Sequence, residues 1–414
     1  MFAVSKDYAP PLKLIAPFFQ IGAIFYLIST ILLFKYSSSF SYLQMDIAGW
    51  IHLFLLGFVM MVIFGAMAQL IPVVLEVGHA VVDLYYVILP LLTIGTILMV
   101  VGFLFNPFII SYGGLLVLTS MVIFATEAFA TLKNSKIGTL TVQTVAISNT
   151  FLLIGIVTGF IIALGFTDVI SVDIPNMLKA HLFTVLGGFV LLTIMGISLT
   201  LLPMFSLAHG FDERPIKIGF YLVTVGVAVI FLSSIFGVDE FLSYILIFSG
   251  VLAYLYQVYI IYKLRVRKEL DIWLKSMIFG FSSLFISLIL GVISLFSKNE
   301  AILHSSMWFF ILGFIGFLIN GHLYKIVPFL VWFERFSPLV GKRKVPMLHE
   351  MYPKKQAEFM FWSSASGVLV GGVAVLIEND FLFKAGISLL VVGAIFLFTS
   401  MVKMLAYGKD LEDV

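Results

Sequence analysis

Seven histidines, His52, His79, His181, His209, His304, His322 and His349, are the residues of this 414-residue chain that combine metal-ligating with proton-carrying chemistry. Cysteine is absent, which excludes disulfides, thiolate metal sites and thiol nucleophiles. Three of the histidines stand near the start of long apolar runs: His52 in GWIHLFLLGF, His181 in LKAHLFTVLGGF and His304 in AILHSSMWFF. An imidazole inside lipid is costly and marks a functional site by default, and neutral imidazole is a standard axial ligand for haem iron. The competing reading is an interfacial histidine hydrogen-bonded to a loop.

A second polar group lies at the other end of the same runs. His322 and Lys325 are one helical turn apart and so share a face, with Tyr324 beside them. Gln69 and Thr200 hold the places equivalent to Lys325 in the two earlier runs, and Glu127 offers a counter-charge. Such a cluster reads as a proton or ion path, or as a haem-propionate anchor; the plainer reading is a snorkelling lysine with a structural partner. His79 and His209 follow the first two runs and raise an inner-face metal pair, against the alternative of solvated turn residues. His349 belongs to a basic loop, KRKVPMLHEMYPKK, that suits lipid headgroups.

These residues are positioned by membrane helices. Apolar side chains make up 61 % of the chain and charged ones 11 %, too few charges to cover a water-facing surface. With 24 basic against 22 acidic residues there is no footprint for nucleic acid. A lipid-spanning helix needs about 20 apolar residues, and twelve runs qualify: 14–34, 49–75, 84–105, 109–130, 142–164, 177–205, 218–236, 241–262, 273–296, 302–333, 359–378 and 381–405. The first is too long for a signal-peptide core, lacks a small-residue cleavage site, and is expected to be a mature helix. Of the Lys and Arg residues, 19 fall at the termini and in loops after even-numbered helices, including Lys6 and Lys409; only Lys35, Lys179, Lys298 and Lys384 fall on the other side. The positive-inside rule then puts both termini in the cytoplasm, as expected for a prokaryotic inner-membrane protein. The expectation is one integral membrane domain over residues 1–414, with no extramembrane domain and a basic connector at 334–358 as its longest loop.

The second, sixth and tenth runs are the longest, and each ends in Gly, six residues, Pro: Gly65 and Pro72, Gly196 and Pro203, Gly321 and Pro328. The copies lie 131 and 125 residues apart, so the repeat unit is four helices used three times, over about 14–130, 142–262 and 273–405. A major-facilitator transporter would repeat at half the chain instead.

Twelve helices in three pseudo-threefold arcs, with histidines early in the second, sixth and tenth, resemble subunit I of the haem–copper oxidase superfamily, and more distantly the NnrS-type haem and copper membrane proteins linked to nitric-oxide stress. The resemblance implies that His52 and His304 clasp a low-spin haem b, and that His181 occupies the place of a copper ligand. It also implies an electron donor or partner membrane subunit. Three departures matter. The seventh run has no His, Ser306 stands where a second His of the tenth helix belongs, and Val185 stands where a Tyr follows the sixth-helix His. The binuclear copper site is therefore not expected. The resulting expectation is an all-α membrane haem protein in electron transfer or in the handling of NO or O2. The alternatives are a transporter or channel for a polar solute, ion or metal, and a terminal oxidase with rearranged ligands.

Overall fold

A computed structural model describes residues 10–409 apart from 168, 238 and 298, so Lys6 and Lys298 of the charge pattern lie outside the described residues. The protein is an all-α polytopic membrane protein with twelve helices long and apolar enough to cross a bilayer. They are α1 (Leu12–Lys35), α2 (Met45–Leu75), α3 (Leu84–Phe105), α4 (Phe108–Leu132), α5 (Leu140–Gly165), α6 (Ile174–Ser206), α7 (Arg214–Phe236), α8 (Phe241–Leu264), α9 (Ile272–Phe296), α10 (Glu300–Leu339), α11 (Lys354–Leu376) and α12 (Asp380–Ala406). In lipid every backbone N–H and C=O must be satisfied within its own helix, which is why the apolar runs and the helices coincide so closely.

The largest departure is at α10. It continues past Phe333 to Leu339 through a π-helical turn at Trp332–Phe336 and a 3-10 turn at Ser337–Leu339. That extension is held from outside: Trp332 donates to the Pro346 carbonyl at 2.9 Å, and Arg335 donates to the carbonyls of Leu405 and Tyr407 at 2.9 and 2.7 Å. The basic connector is accordingly shorter than 334–358.

Two compact units divide the chain, Met67–Glu269 and Pro10–Ala66 together with the chain from Leu270, and α2 contributes to both. In the first unit, α3 packs on α4, α4 on α5, α5 and α7 on α6, and α8 on both α6 and α7. In the second, α1 packs on α2 and α12, α9 on α10, and α11 and α12 on each other and on α10.

The three long helices are the buried ones. Of their most apolar stretches 72–78 % of residues are buried, against 28–56 % in the other nine. Each also contains a π-helical stretch: Leu53–Met60, Phe183–Leu191 and Phe309–Ile315. Such wide turns are uncommon and concentrate at functional sites.

Each π stretch holds a Leu-Gly phrase, Leu-Gly-Gly in α6, with a glycine eight residues before the repeat glycine: Gly57 and Gly65, Gly188 and Gly196, Gly313 and Gly321. Both glycines of every pair touch the preceding helix. A methyl group at Gly57, Gly188 or Gly313 would meet Phe25, Phe151 or Ser283 at 2.7, 2.5 or 2.6 Å. At Gly65, Gly196 or Gly321 it would collide with Phe18, Thr144 or Ser276, each seven residues before its counterpart. The same close helix pairing thus occurs three times, between α1 and α2, α5 and α6, and α9 and α10. Gly188→Leu is expected to push α5 from α6 and to cost about 1–3 kcal/mol, read as a lowered thermal midpoint in detergent. A midpoint equal to wild type would mean that the interface is loose.

Candidate functional site

Register within the repeated pair separates the histidines near the starts of α2, α6 and α10. Seven residues before the first glycine of each pair stand Trp50, His181 and Ser306. All three donate to a backbone carbonyl of the preceding helix: Trp50 Nε1 to Ser29 at 3.1 Å, His181 Nδ1 to Gly155 at 2.7 Å and Ser306 Oγ to Ser287 at 2.8 Å. The three acceptors are themselves equivalent, each lying four residues after Phe25, Phe151 or Ser283. His181 is therefore the α6 version of an interhelical clasp, with its ring against Gly159, where a methyl group would collide with Cε1 at 2.6 Å.

His52 and His304 are outside that pattern. They precede Gly57 and Gly313 by five and nine residues, against seven for His181. A helix turns about 100° per residue, so His52 and His304 share nearly the same side of their repeat frame, one turn apart in depth, while His181 faces the opposite way. His52 is half-buried and its Nδ1 lies 2.7 Å from the Ala48 carbonyl, one turn back in α2. A carbonyl only accepts, so a proton sits on Nδ1.

His304 is 5 % exposed, and its Nε2 has no hydrogen-bond partner among the described residues. Its ring lies between Phe40, stacked at 5.3 Å, and Tyr42, edge-on at 5.4 Å, both from the loop joining α1 to α2. That loop is pinned to the start of α12. The Asp380 carboxylate accepts from Ser38 N at 2.6 Å and Ser38 Oγ at 2.8 Å, and Lys384 Nζ donates to the carbonyls of Phe34 and Tyr36. The Tyr36 hydroxyl donates to the Asp46 carbonyl at 2.8 Å, and burial, then the Asp46 carboxylate, raise that phenol above its usual range. An imidazole nitrogen left dry and unbonded costs about 1–3 kcal/mol. A group that uses the lone pair would remove that cost, and neutral imidazole is the donor type that holds haem iron.

Lys325 pairs with Asp271 at 2.7 Å, and its ammonium lies 5.9 Å from the Trp273 ring centre. Asp271 also caps α9, accepting from Leu274 N at 3.0 Å. His322 joins this group edge-on to Trp273 at 6.0 Å, with Nδ1 donating to the Leu318 carbonyl at 2.7 Å. Tyr324 is buried apart from it, against Tyr352 at 5.8 Å. Gln69 is buried with no hydrogen-bond partner for Oε1 among the described residues. The counter-charge expected of Glu127 for Lys325 is not what forms: Asp271, at the mouth of the adjacent helix, takes that place.

Glu127 instead binds His79, Oε1 to Nδ1 at 2.8 Å. The expectation of a solvated His79, or of a metal pair with His209, is corrected, because both His79 nitrogens are engaged and His209 is exposed. Among the described residues no three His, Asp or Glu side chains come together to hold a metal ion. No protein-family model matches the chain, and no curated protein matches it.

Proposed function

We propose that the protein is a membrane haem-b protein related to subunit I of the haem–copper oxidases. It is built as three arcs of four helices, with both termini in the cytoplasm of a prokaryotic cell. The thrice-repeated glycine pairing and clasp support the three-arc reading. The single observation that carries the haem reading is the buried, unbonded Nε2 of His304 beneath Phe40 and Tyr42.

In this reading His304 and His52 hold the iron. The Ala48 carbonyl fixes the His52 tautomer, and the α1–α2 loop excludes water from His304. His181 is an interhelical clasp and not a copper ligand. The bound haem supplies one-electron exchange or diatomic-gas chemistry, fed by an electron donor or partner subunit. The first test is an absorption spectrum of detergent-purified protein from haem-supplied cells, oxidised and then dithionite-reduced. Sharp reduced Soret and α bands are expected. A colourless protein overturns the haem reading and turns attention to transport through the Lys325 side of the molecule.

A further inference from the structure

Pro72 lacks an N–H, so the carbonyl of Ala68, four residues earlier in α2, has no helical partner. His79 fills it from the α2–α3 loop, with Nε2 donating to Ala68 O at 2.6 Å. That contact fixes a proton on Nε2. On the other side of the ring Nδ1 meets Glu127 Oε1 at 2.8 Å, a separation at which two lone pairs repel, so one further proton lies between them. The Thr131 hydroxyl accepts from Ala80 N at 2.9 Å, which leaves its own proton to be donated to the same Oε1 at 2.7 Å. The carboxylate oxygen thus faces two donors. Both side chains are dry, 2 % and 0 % exposed, and Glu127 Oε2 has no hydrogen-bond partner among the described residues. Among the described residues Tyr85 of α3 also faces the pair, edge-on to His79 at 5.4 Å and fully buried.

We infer that His79 and Glu127 form a buried site for an exchangeable proton, in which an imidazolium–carboxylate pair takes up a second proton on Glu127. The geometry links that proton to the structure of α2. While the pair is ionised, His79 bridges α4 to the break that Pro72 makes in the long helix. Protonation of Glu127 removes the carboxylate that anchors the ring, and with it the support of the Ala68 carbonyl. The site uses no haem ligand and stands whether or not haem binds.

Infrared difference spectra between acidic and neutral buffer, on the purified full-length protein, test this directly. Wild type is expected to gain a deuterium-sensitive carboxylic-acid C=O band on acidification, and Glu127→Gln to lack it. His79→Gln keeps an N–H for the Ala68 carbonyl but loses the cation. It is expected to move the midpoint of that band up by about 1–3 pH units, the usual influence of an adjacent opposite charge. Should His79→Gln fail to fold, Thr131→Val removes only the hydroxyl donor and moves the midpoint the same way by less. No Glu127 band, or midpoints that stay unmoved in the folded variants, overturns the inference.

Discussion

His304→Ala is expected to abolish the reduced Soret and α bands of the purified protein while leaving its helical circular dichroism in place. The effect is large because His304 offers a buried imidazole nitrogen with no hydrogen-bond partner among the described residues. Phe40 and Tyr42 supply ring faces and edges, and Ser305 and Ser306 direct their hydroxyls to the Gly372 and Ser287 carbonyls at 2.9 and 2.8 Å. Loss of a partner that merely orients a metal ligand typically costs about 10–100-fold in affinity, and loss of the ligand itself costs more. His52→Ala is expected to do the same. His181→Ala is the discriminating control: it breaks the clasp to Gly155 and is expected to lower stability by about 1 kcal/mol with the colour retained. Colour lost with His181 and kept without His304 would reverse the assignment of roles.

Asp271→Ala is expected to be the most damaging single change to stability. Asp271 is 7 % exposed and Lys325 18 %, so the ammonium left behind has little water to turn to. Removing one member of a buried ion pair costs about 3–5 kcal/mol, and losing the α9 cap adds about 1 kcal/mol. Thermal unfolding in detergent reads the sum as a drop in midpoint. Adding Lys325→Met should restore most of the loss, since it removes the stranded charge while keeping the apolar stem beside Trp273. Recovery is the telling result. If the double variant is as unstable as Asp271→Ala alone, the pair is incidental and the cap carries the effect.

All twelve spans were legible, because lipid leaves a chain only one way to satisfy its backbone and the apolar runs mark it directly. Hydropathy leaves unmarked the boundaries that are polar or that are held by contacts from elsewhere in the chain. Lys354 and Lys355 are too polar to read as helix, yet α11 starts there behind Pro353. The last turns of α10 persist because Trp332 and Arg335 find carbonyls elsewhere in the chain. Gly-x6-Pro is visible in the sequence, whereas the glycine eight residues earlier becomes distinctive only once the π stretches are known, in LLGF, VLGGF and ILGF. That earlier glycine is the signal that separates His181 from His52 and His304. Partner choice was the least legible feature. Glu127 and His79 lie 48 residues apart, and neither hydropathy nor spacing indicates that a proline in α2 exposes the carbonyl that draws His79 inward.

The loop over His304 is held by Asp380 and Lys384, and its Ser38–Asp380 bond joins residues 342 positions apart. A ribosome adding about 5–20 residues per second makes Ser38 on the order of tens of seconds before Asp380. Until the last helix enters the membrane, the cover above His304 lacks its anchor. That side of His304 is thereby closed only at the end of synthesis. A chain truncated before α12 would keep every histidine and still lack the residues that hold the loop over His304.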